Sequence, residues 1–188
     1  MFILYAILIG LVIGALAGGG PLALGEIRFR WAPLVVGGFL AQIVLFSDAV
    51  ASRVGDLGPW LYVGTTVLVG VAVVRNLRLP GMPLIVIGAA SNMAAILANG
   101  GYMPATAEAL AAVGKSAPTI YSNSAVIAEP ALAPLIDRFA LPTWLPLANV
   151  FSIGDVILGA GVVVLIVVAM RRSPRRGGGV AAVGASLH

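Results

Sequence analysis

Two aspartates, Asp137 and Asp155, have the residue type and the order along the chain that hydrolytic chemistry would need. Two carboxylates that lie close together can share one proton, because both cannot easily ionise at once. One can then activate water while the other protonates a leaving group. The chain has no Cys, and its single His is the last residue, His188, so a His-based triad and a multi-His metal site are excluded. The sequence therefore predicts no metal and no cofactor, with the two aspartates as the candidate catalytic residues.

Each aspartate also has a purely structural interpretation. Ser152 is a good N-cap for the last apolar segment, and Asp155 would then be the third helical residue of a capping box. A carboxylate at this position also suits the positive end of the helix dipole. Arg138 directly follows Asp137 and could form a surface ion pair with it or contact a lipid headgroup. Both interpretations of the pair are kept.

The remaining polar side chains of interest lie near one end of the long apolar segments, at the end that we assign below to the outer side of the membrane. Polar groups in hydrocarbon are costly and often face a bundle interior or a cavity. We therefore predict an outward-facing polar binding site. Its candidate residues are Gln42, Asn92, Asn99, Tyr102, Arg138, Asn149 and Ser152. The alternative is that Gln42 and Asn92 simply make hydrogen bonds between helices.

The composition indicates the elements that must position these residues. The 188 residues are 60% hydrophobic and only 10% charged, with a mean hydropathy of +1.07. A soluble domain carries about 25% charged residues, so the bilayer is the expected solvent. Apolar runs of about 17–25 residues are long enough to cross it. The runs are too continuous for the alternating strands of a membrane barrel, so strands are not expected.

The predicted fold is an all-α, polytopic transmembrane bundle of about five spanning helices. The membrane domain covers residues 1–172, followed by a flexible, basic and Gly-rich cytoplasmic tail over residues 173–188. The predicted spans are residues 2–18, 31–47, 59–74, 81–98 and 152–170, with an external loop over residues 99–147.

The basic residues predict the orientation. Eight of them flank one side of the predicted spans: Arg28, Arg30, Arg75, Arg78, Arg171, Arg172, Arg175 and Arg176. Three flank the other side: Arg53, Lys115 and Arg138. The richer side is expected in the cytoplasm, which places the N-terminus outside and the C-terminus inside. This also explains the net charge of +4 without nucleic acid as a partner.

Two patterns concern packing and assembly. The second and fourth predicted helices match at an offset of 50 residues, where Arg28 corresponds to Arg78 and Gln42 to Asn92. This is compatible with a tandem helix-hairpin repeat of the kind found in some transporters. Small residues at Gly10, then Gly14 and Gly18, favour close helix packing, either within the chain or in a homo-oligomer.

Nearly the whole chain resembles a family of uncharacterised bacterial membrane proteins, domain of unknown function 5317. The resemblance rests on Leu84–Pro104, which includes Asn92 and the Asn99–Pro104 run, and on Asn149–Ile157. It implies a small multi-pass protein of the bacterial plasma membrane and supplies no activity.

A second, local resemblance covers about Leu135–Ile166 and concerns lipoprotein signal peptidase, a four-helix aspartyl peptidase. Its catalytic aspartates lie in an Asn-x-x-Asp-Arg motif and a Phe-Asn-x-Ala-Asp motif, and the second motif opens the last helix. The resemblance implies catalytic roles for Asp137 and Asp155. The chain departs from these motifs in three places, with Pro134 and Ser152 in place of Asn, and Gly154 in place of Ala.

Three functions follow as hypotheses. The favoured one is a non-enzymatic binding or accessory subunit in the plasma membrane, with an outward-facing polar site. The second is a membrane aspartyl hydrolase, and the third is an oligomeric small transporter component. The expected partners are the lipid bilayer and either a second copy of the chain or another membrane protein.

Overall fold

The computed structural model describes residues 2–115, 122 and 124–172. The predicted tail of residues 173–188 lies outside the described residues, as do residues 116–121 and 123 of the predicted external loop.

Helices make up most of the described chain, which confirms the coarser part of the predicted fold class. The longer helices are α1 (Phe2–Leu16), α2 (Ala32–Leu45), α4 (Gly58–Val74), α5 (Met82–Ala98) and α7 (Ile153–Arg171). The short α-helices are α3 (Asp48–Ala51) and α6 (Ala107–Ala112), and 3-10 turns cover Pro21–Glu26, Gly55–Leu57 and Ala133–Leu135.

Two helical stretches of the described chain, Gly55–Val74 and Ile153–Arg171, are long and apolar enough to cross a membrane by length and composition. The other apolar helices, α1, α2 and α5, are shorter. At 1.5 Å per residue, a helix needs about 20 residues to cross roughly 30 Å of hydrocarbon. Five membrane spans therefore stay a prediction.

Prolines mark where three of the apolar helices begin. Pro33, Pro59 and Pro83 each occupy one of the first two helical positions. The missing N–H of proline costs nothing there, because the first turn has no intrahelical acceptor for it. Just ahead of α5, Gly81 has a φ of 80°, which a residue with a side chain rarely adopts.

Helix α7 packs against α5 along a line of glycines. A Cβ added at Gly88 would clash with the backbone of Gly154, and one added at Gly161 would lie 2.6 Å from the carbonyl oxygen of Gly81. Since Gly81 precedes Gly88 whereas Gly161 follows Gly154, the two helices run antiparallel. Small residues let the backbones approach closely, as they do between helices in membranes.

Helix α1 packs on another side of α7. Gly10 faces Ile166 and Gly14 faces Met170, so α1 and α7 run in the same direction. Of the two uses predicted for this glycine pattern, packing within the chain therefore accounts for Gly10 and Gly14. Gly18 has no neighbour within 4 Å of an added Cβ and takes no part in it.

Short strands occur between α5 and α7, where the sequence predicted none. The strand β1 (Met103–Pro104) pairs in parallel with β2 (Ser124–Ala125), and β3 (Phe139–Ala140) pairs antiparallel with β4 (Val150–Phe151). Each strand has only two residues, too few for an alternating pattern to be visible in the sequence. The prediction that excluded strands concerned the long apolar runs, and the observed strands lie outside those runs.

Candidate functional site

Backbone pairing holds the segment that carries Asp137 beside the segment that leads into α7. Asp137 donates its backbone N–H to the carbonyl oxygen of Pro104 at 2.9 Å and accepts from the backbone N–H of Thr106 at 3.0 Å. Two residues further on, Phe139 is paired with Phe151, immediately before Ser152. Two segments that are distant in the sequence thus enter the site side by side.

The start of α7 forms the predicted capping box. Ser152 Oγ accepts the backbone N–H of Asp155 at 3.0 Å, and Asp155 Oδ2 accepts the backbone N–H of Ser152 at 3.0 Å. Two N–H groups that the helix leaves without partners are satisfied in this way. Ser152 is completely buried, so the cap is part of the interior of the protein.

Asn92 of α5 connects this cap to the neighbouring helix. Its Nδ2 donates to Asp155 Oδ1 at 2.7 Å, and its Oδ1 accepts from Ser152 Oγ at 2.8 Å. A Cβ at Gly154 would clash with the Asn92 amide, so this glycine provides the space for the connection. Both carboxylate oxygens of Asp155 are therefore occupied within the protein.

The carboxyl group of Asp137 is in a different situation. Asp137 is 8% exposed, and its Oδ1 has no hydrogen-bond partner. Burial, and next the nearby charge of Asp155, raise the pKa of Asp137 from 3.8 to about 7, with the positive charge of the chain's amino terminus opposing both. A buried polar atom without a partner is uncommon in proteins and calls for an explanation.

These four residues, Asn92, Asp137, Ser152 and Asp155, are called the aspartate cluster below. Arg138 is exposed, and no ion pair joins it to Asp137 within the part of the chain that the structure describes. The predicted surface ion pair is therefore not formed.

The other candidate residues have partners elsewhere. Asn99 bonds to the backbone of Ala95 and exchanges two hydrogen bonds of 2.9 Å with the backbone of Ala131. Asn149 accepts from Lys115 Nζ at 2.9 Å. Tyr102 is partly buried. The hydrogen bonds of Asn99 and Asn149 thus go to residues outside the aspartate cluster.

Gln42 lies in a separate polar contact. Its Nε2 donates to Thr66 Oγ1 at 3.0 Å and to Thr65 Oγ1 at 3.3 Å, which connects α2 to α4. This is the interhelical hydrogen bonding that the sequence left as the alternative to a binding role. We did not single out the two threonines from the sequence, although adjacent hydroxyls in an otherwise apolar helix are a visible signal.

No group of three or more acidic, His or Cys side chains capable of holding a metal ion occurs in the described ranges. The aspartate cluster can hold one proton close to neutral pH, and it contains one buried carboxyl oxygen that has no hydrogen-bond donor.

The sequence model of one protein family, described as "Family of unknown function (DUF5317)", matches residues 26–167. No curated protein and no solved structure matches the chain. The local resemblance to lipoprotein signal peptidase thus rests on the residues of the two motifs alone.

Proposed function

The chain belongs to the DUF5317 family, whose function is unknown, and we propose that it is a multi-pass membrane protein that binds a partner through the aspartate cluster without catalysing a reaction. The observation that carries this proposal is the buried Oδ1 of Asp137, which has no partner, whereas Asn92, Ser152 and Asp155 bond to one another.

Large apolar side chains on the helix surfaces support the membrane part of the proposal. Exposed examples lie on α1, α2 and α4, among them Leu8, Ile43 and Leu68. Monomeric soluble proteins rarely expose contiguous apolar patches of large area. We propose five spans, with α1, α2 and α5 accommodated by local thinning of the bilayer, which costs only fractions of a kcal/mol per ångström of mismatch.

The absence of Cys makes the topology directly testable. Single cysteines at Glu129 and Gly25, both exposed positions, would lie on opposite sides of the membrane. In intact cells, a membrane-impermeant maleimide should label the Glu129→Cys variant and should label Gly25→Cys only after the cells are opened. Labelling of both in intact cells would refute the proposed orientation.

Binding is favoured over catalysis because each carboxylate oxygen of Asp155 already accepts a hydrogen bond within the protein, which holds this carboxylate in a structural role. A carboxylate that activates water must accept a hydrogen bond from it. Asp155 instead bonds to the start of its own helix and to Asn92. Asp137 Oδ1 is the oxygen that lacks a donor. An amide or ammonium group of another membrane protein would supply that donor by displacing the residues that bury this oxygen.

The binding proposal can be tested by placing a photo-crosslinking amino acid at the exposed position of Arg138. Irradiated membranes should then yield a discrete crosslinked species. This species should be lost when Asp137→Leu is added and retained when Asp48→Asn is added, because Asp48 is an exposed acid outside the cluster. A crosslinking pattern that Asp137→Leu does not change would overturn the proposal.

A second function, aspartyl hydrolysis, is supported by one specific observation. The charge of Asp155 contributes to the raised pKa of Asp137, and such coupling is typical of two carboxyls that share a proton. If the chain is a hydrolase, the purified wild type should cleave a fluorogenic membrane-peptide substrate, and Asp137→Asn should abolish cleavage while Asp48→Asn does not. Equal turnover by the wild type and Asp137→Asn would eliminate this alternative.

A further inference from the structure

At the other end of the bundle, the buried side chain of Asn76 holds the turn before α2 against the end of α4. Asn76 is 4% exposed. Its Oδ1 accepts the backbone N–H of Arg30 at 2.8 Å, and its Nδ2 donates to the carbonyl oxygens of Arg30 at 2.8 Å and Ala72 at 2.7 Å. The backbone at Arg30 is therefore held from both its N–H and its carbonyl group.

The next residue, Trp31, has an unusual backbone conformation. Its φ is 62°, in the left-handed region, which a large side chain rarely adopts. The indole is 52% exposed, so burial of the ring does not explain this conformation. Backbone strain of this kind persists only where the surroundings impose it, and it often occurs at binding sites.

Three arginines and this tryptophan line one cavity of about 440 Å³, together with apolar side chains of α4 and of the turn that follows it. The arginines are Arg30, Arg75 and Arg78, and we call the space the arginine cavity. No acidic residue lines it. A second cavity, of about 290 Å³, differs because Glu26 accompanies Arg28 and Arg172 there.

Arg30, Arg75 and Arg78 bring three positive charges to the lining of one space that has no acidic residue in its lining, which favours an anion there. The planar N–H groups of the guanidiniums match the oxygens of a phosphate in pairs. The volume is within the range of about 300–1,000 Å³ that small-molecule sites occupy, and it exceeds what one phosphate fills. The apolar part of the lining suits a ligand with a hydrocarbon portion.

We propose that Arg30, Arg75 and Arg78 form a binding site for a phosphate group, which Asn76 pre-forms by holding the Arg30 backbone. The proposal concerns the end of the bundle opposite to the aspartate cluster and does not depend on the function assigned to that cluster. Two sources have the required chemistry: the headgroup of an anionic phospholipid and a free phosphate compound.

The experiment uses the fluorescence of Trp31 in the full chain. The sequence contains three tryptophans, so Trp60→Phe and Trp144→Phe leave Trp31 as the single reporter. The protein is placed in nanodiscs of phosphatidylcholine with increasing fractions of phosphatidic acid, and inorganic pyrophosphate is titrated separately into phosphatidylcholine nanodiscs. A response to phosphatidic acid indicates a lipid ligand, and a response to pyrophosphate alone indicates a free phosphate compound.

The affinity for the probe that responds should fall about five-fold in each of three variants, Arg30→Gln, Arg75→Gln and Arg78→Gln. This is the effect expected for the loss of one phosphate contact near the membrane surface. Arg171→Gln is the matched control, because Arg171 is exposed at the end of α7 and does not line the cavity. If a glutamine variant does not fold, the lysine variant keeps the charge but loses the paired N–H groups, and its binding should still weaken. The proposal is overturned if neither probe changes the fluorescence, or if Arg171→Gln weakens binding as much as the other three variants.

Discussion

Asp155 and Asp137 have the same type of side chain, but the segments around them differ in the hydrogen bonds that they offer to it. At the start of α7, both oxygens of Asp155 accept hydrogen bonds, one from its own helix cap and one from Asn92. In the segment before β3, Asp137 is buried and its Oδ1 has no partner. A buried charge stabilises a protein only when its hydrogen bonds are satisfied. The comparison therefore separates a carboxylate that holds the structure together from one whose buried oxygen has no hydrogen-bond donor.

The two segments also differ in how their backbones are held. The cap at Asp155 needs only the residues of one helical turn, together with Asn92 from α5. Asp137 is positioned by backbone bonds to Pro104 and Thr106, which lie more than thirty residues earlier. These bonds hold its backbone but provide no donor for the side chain.

The largest effect that would test this comparison is a dependence of the free energy of unfolding on pH. The folded protein holds a proton on Asp137 up to about pH 7, whereas the unfolded chain releases it near the ordinary pKa of 3.8. The resulting stabilisation is complete below about pH 4 and is lost as the pH rises to about 7; at 1.36 kcal/mol per pKa unit the loss is on the order of 4 kcal/mol.

The measurement for Asp137 is the free energy of unfolding in mixed detergent micelles as a function of pH. Asp137→Asn should remove this dependence, and Asp48→Asn should leave it unchanged. An Asp137→Asn variant that keeps the wild-type slope would show that this carboxyl is not the group that takes up the proton.

Asp155→Ala is expected to have the next largest effect. The substitution removes half of the capping box and a charge-assisted hydrogen bond to Asn92, at a combined cost of about 3 kcal/mol. Unfolding in mixed micelles should show this loss at neutral pH, with Asp48→Ala within experimental error of the wild type. A loss for Asp155→Ala no larger than that for Asp137→Ala would contradict the assigned difference between the two carboxyls.

Gly154→Ala should disturb the connection to Asn92 without removing a polar group. The added Cβ would clash with the Asn92 amide, and such overpacking costs about 2 kcal/mol. Gly37→Ala in α2 is the matched control, since nothing lies within 4 Å of its added Cβ. That substitution should stabilise its helix by up to about 1 kcal/mol. Thermal denaturation should therefore shift in opposite directions for the two variants.

The smallest effect is expected at Gln42, whose polar contact connects two helices. Unlike the site of Asp137, this contact involves no buried carboxyl group. Gln42→Leu removes the bonds to Thr65 and Thr66, and interhelical hydrogen bonds in membranes average about 0.6 kcal/mol. A double-mutant cycle with Thr66→Val should give a coupling of this size. A coupling free energy several times larger would show that Gln42 stabilises the protein through more than its hydrogen bonds to Thr65 and Thr66.

The sequence predicted correctly the features that depend on interactions between residues close together in the chain. The family was predicted correctly, and the capping box of Ser152 and Asp155 is confirmed. The helical character is confirmed as well, because long apolar runs and prolines at helix starts act within a few turns. The number of membrane spans and the tandem repeat stay predictions.

The sequence alone thus determined a helical, apolar chain with a capped last helix and two carboxylates in the correct order to meet. Only the tertiary structure decided that Asn92 bonds to Asp155, that Asp137 is buried with one oxygen unpartnered, and that Asn76 holds the turn at Arg30. The physical reason is that these contacts join segments that are distant in sequence. Their geometry depends on how closely α5 and α7 pack and on strands too short to leave a pattern.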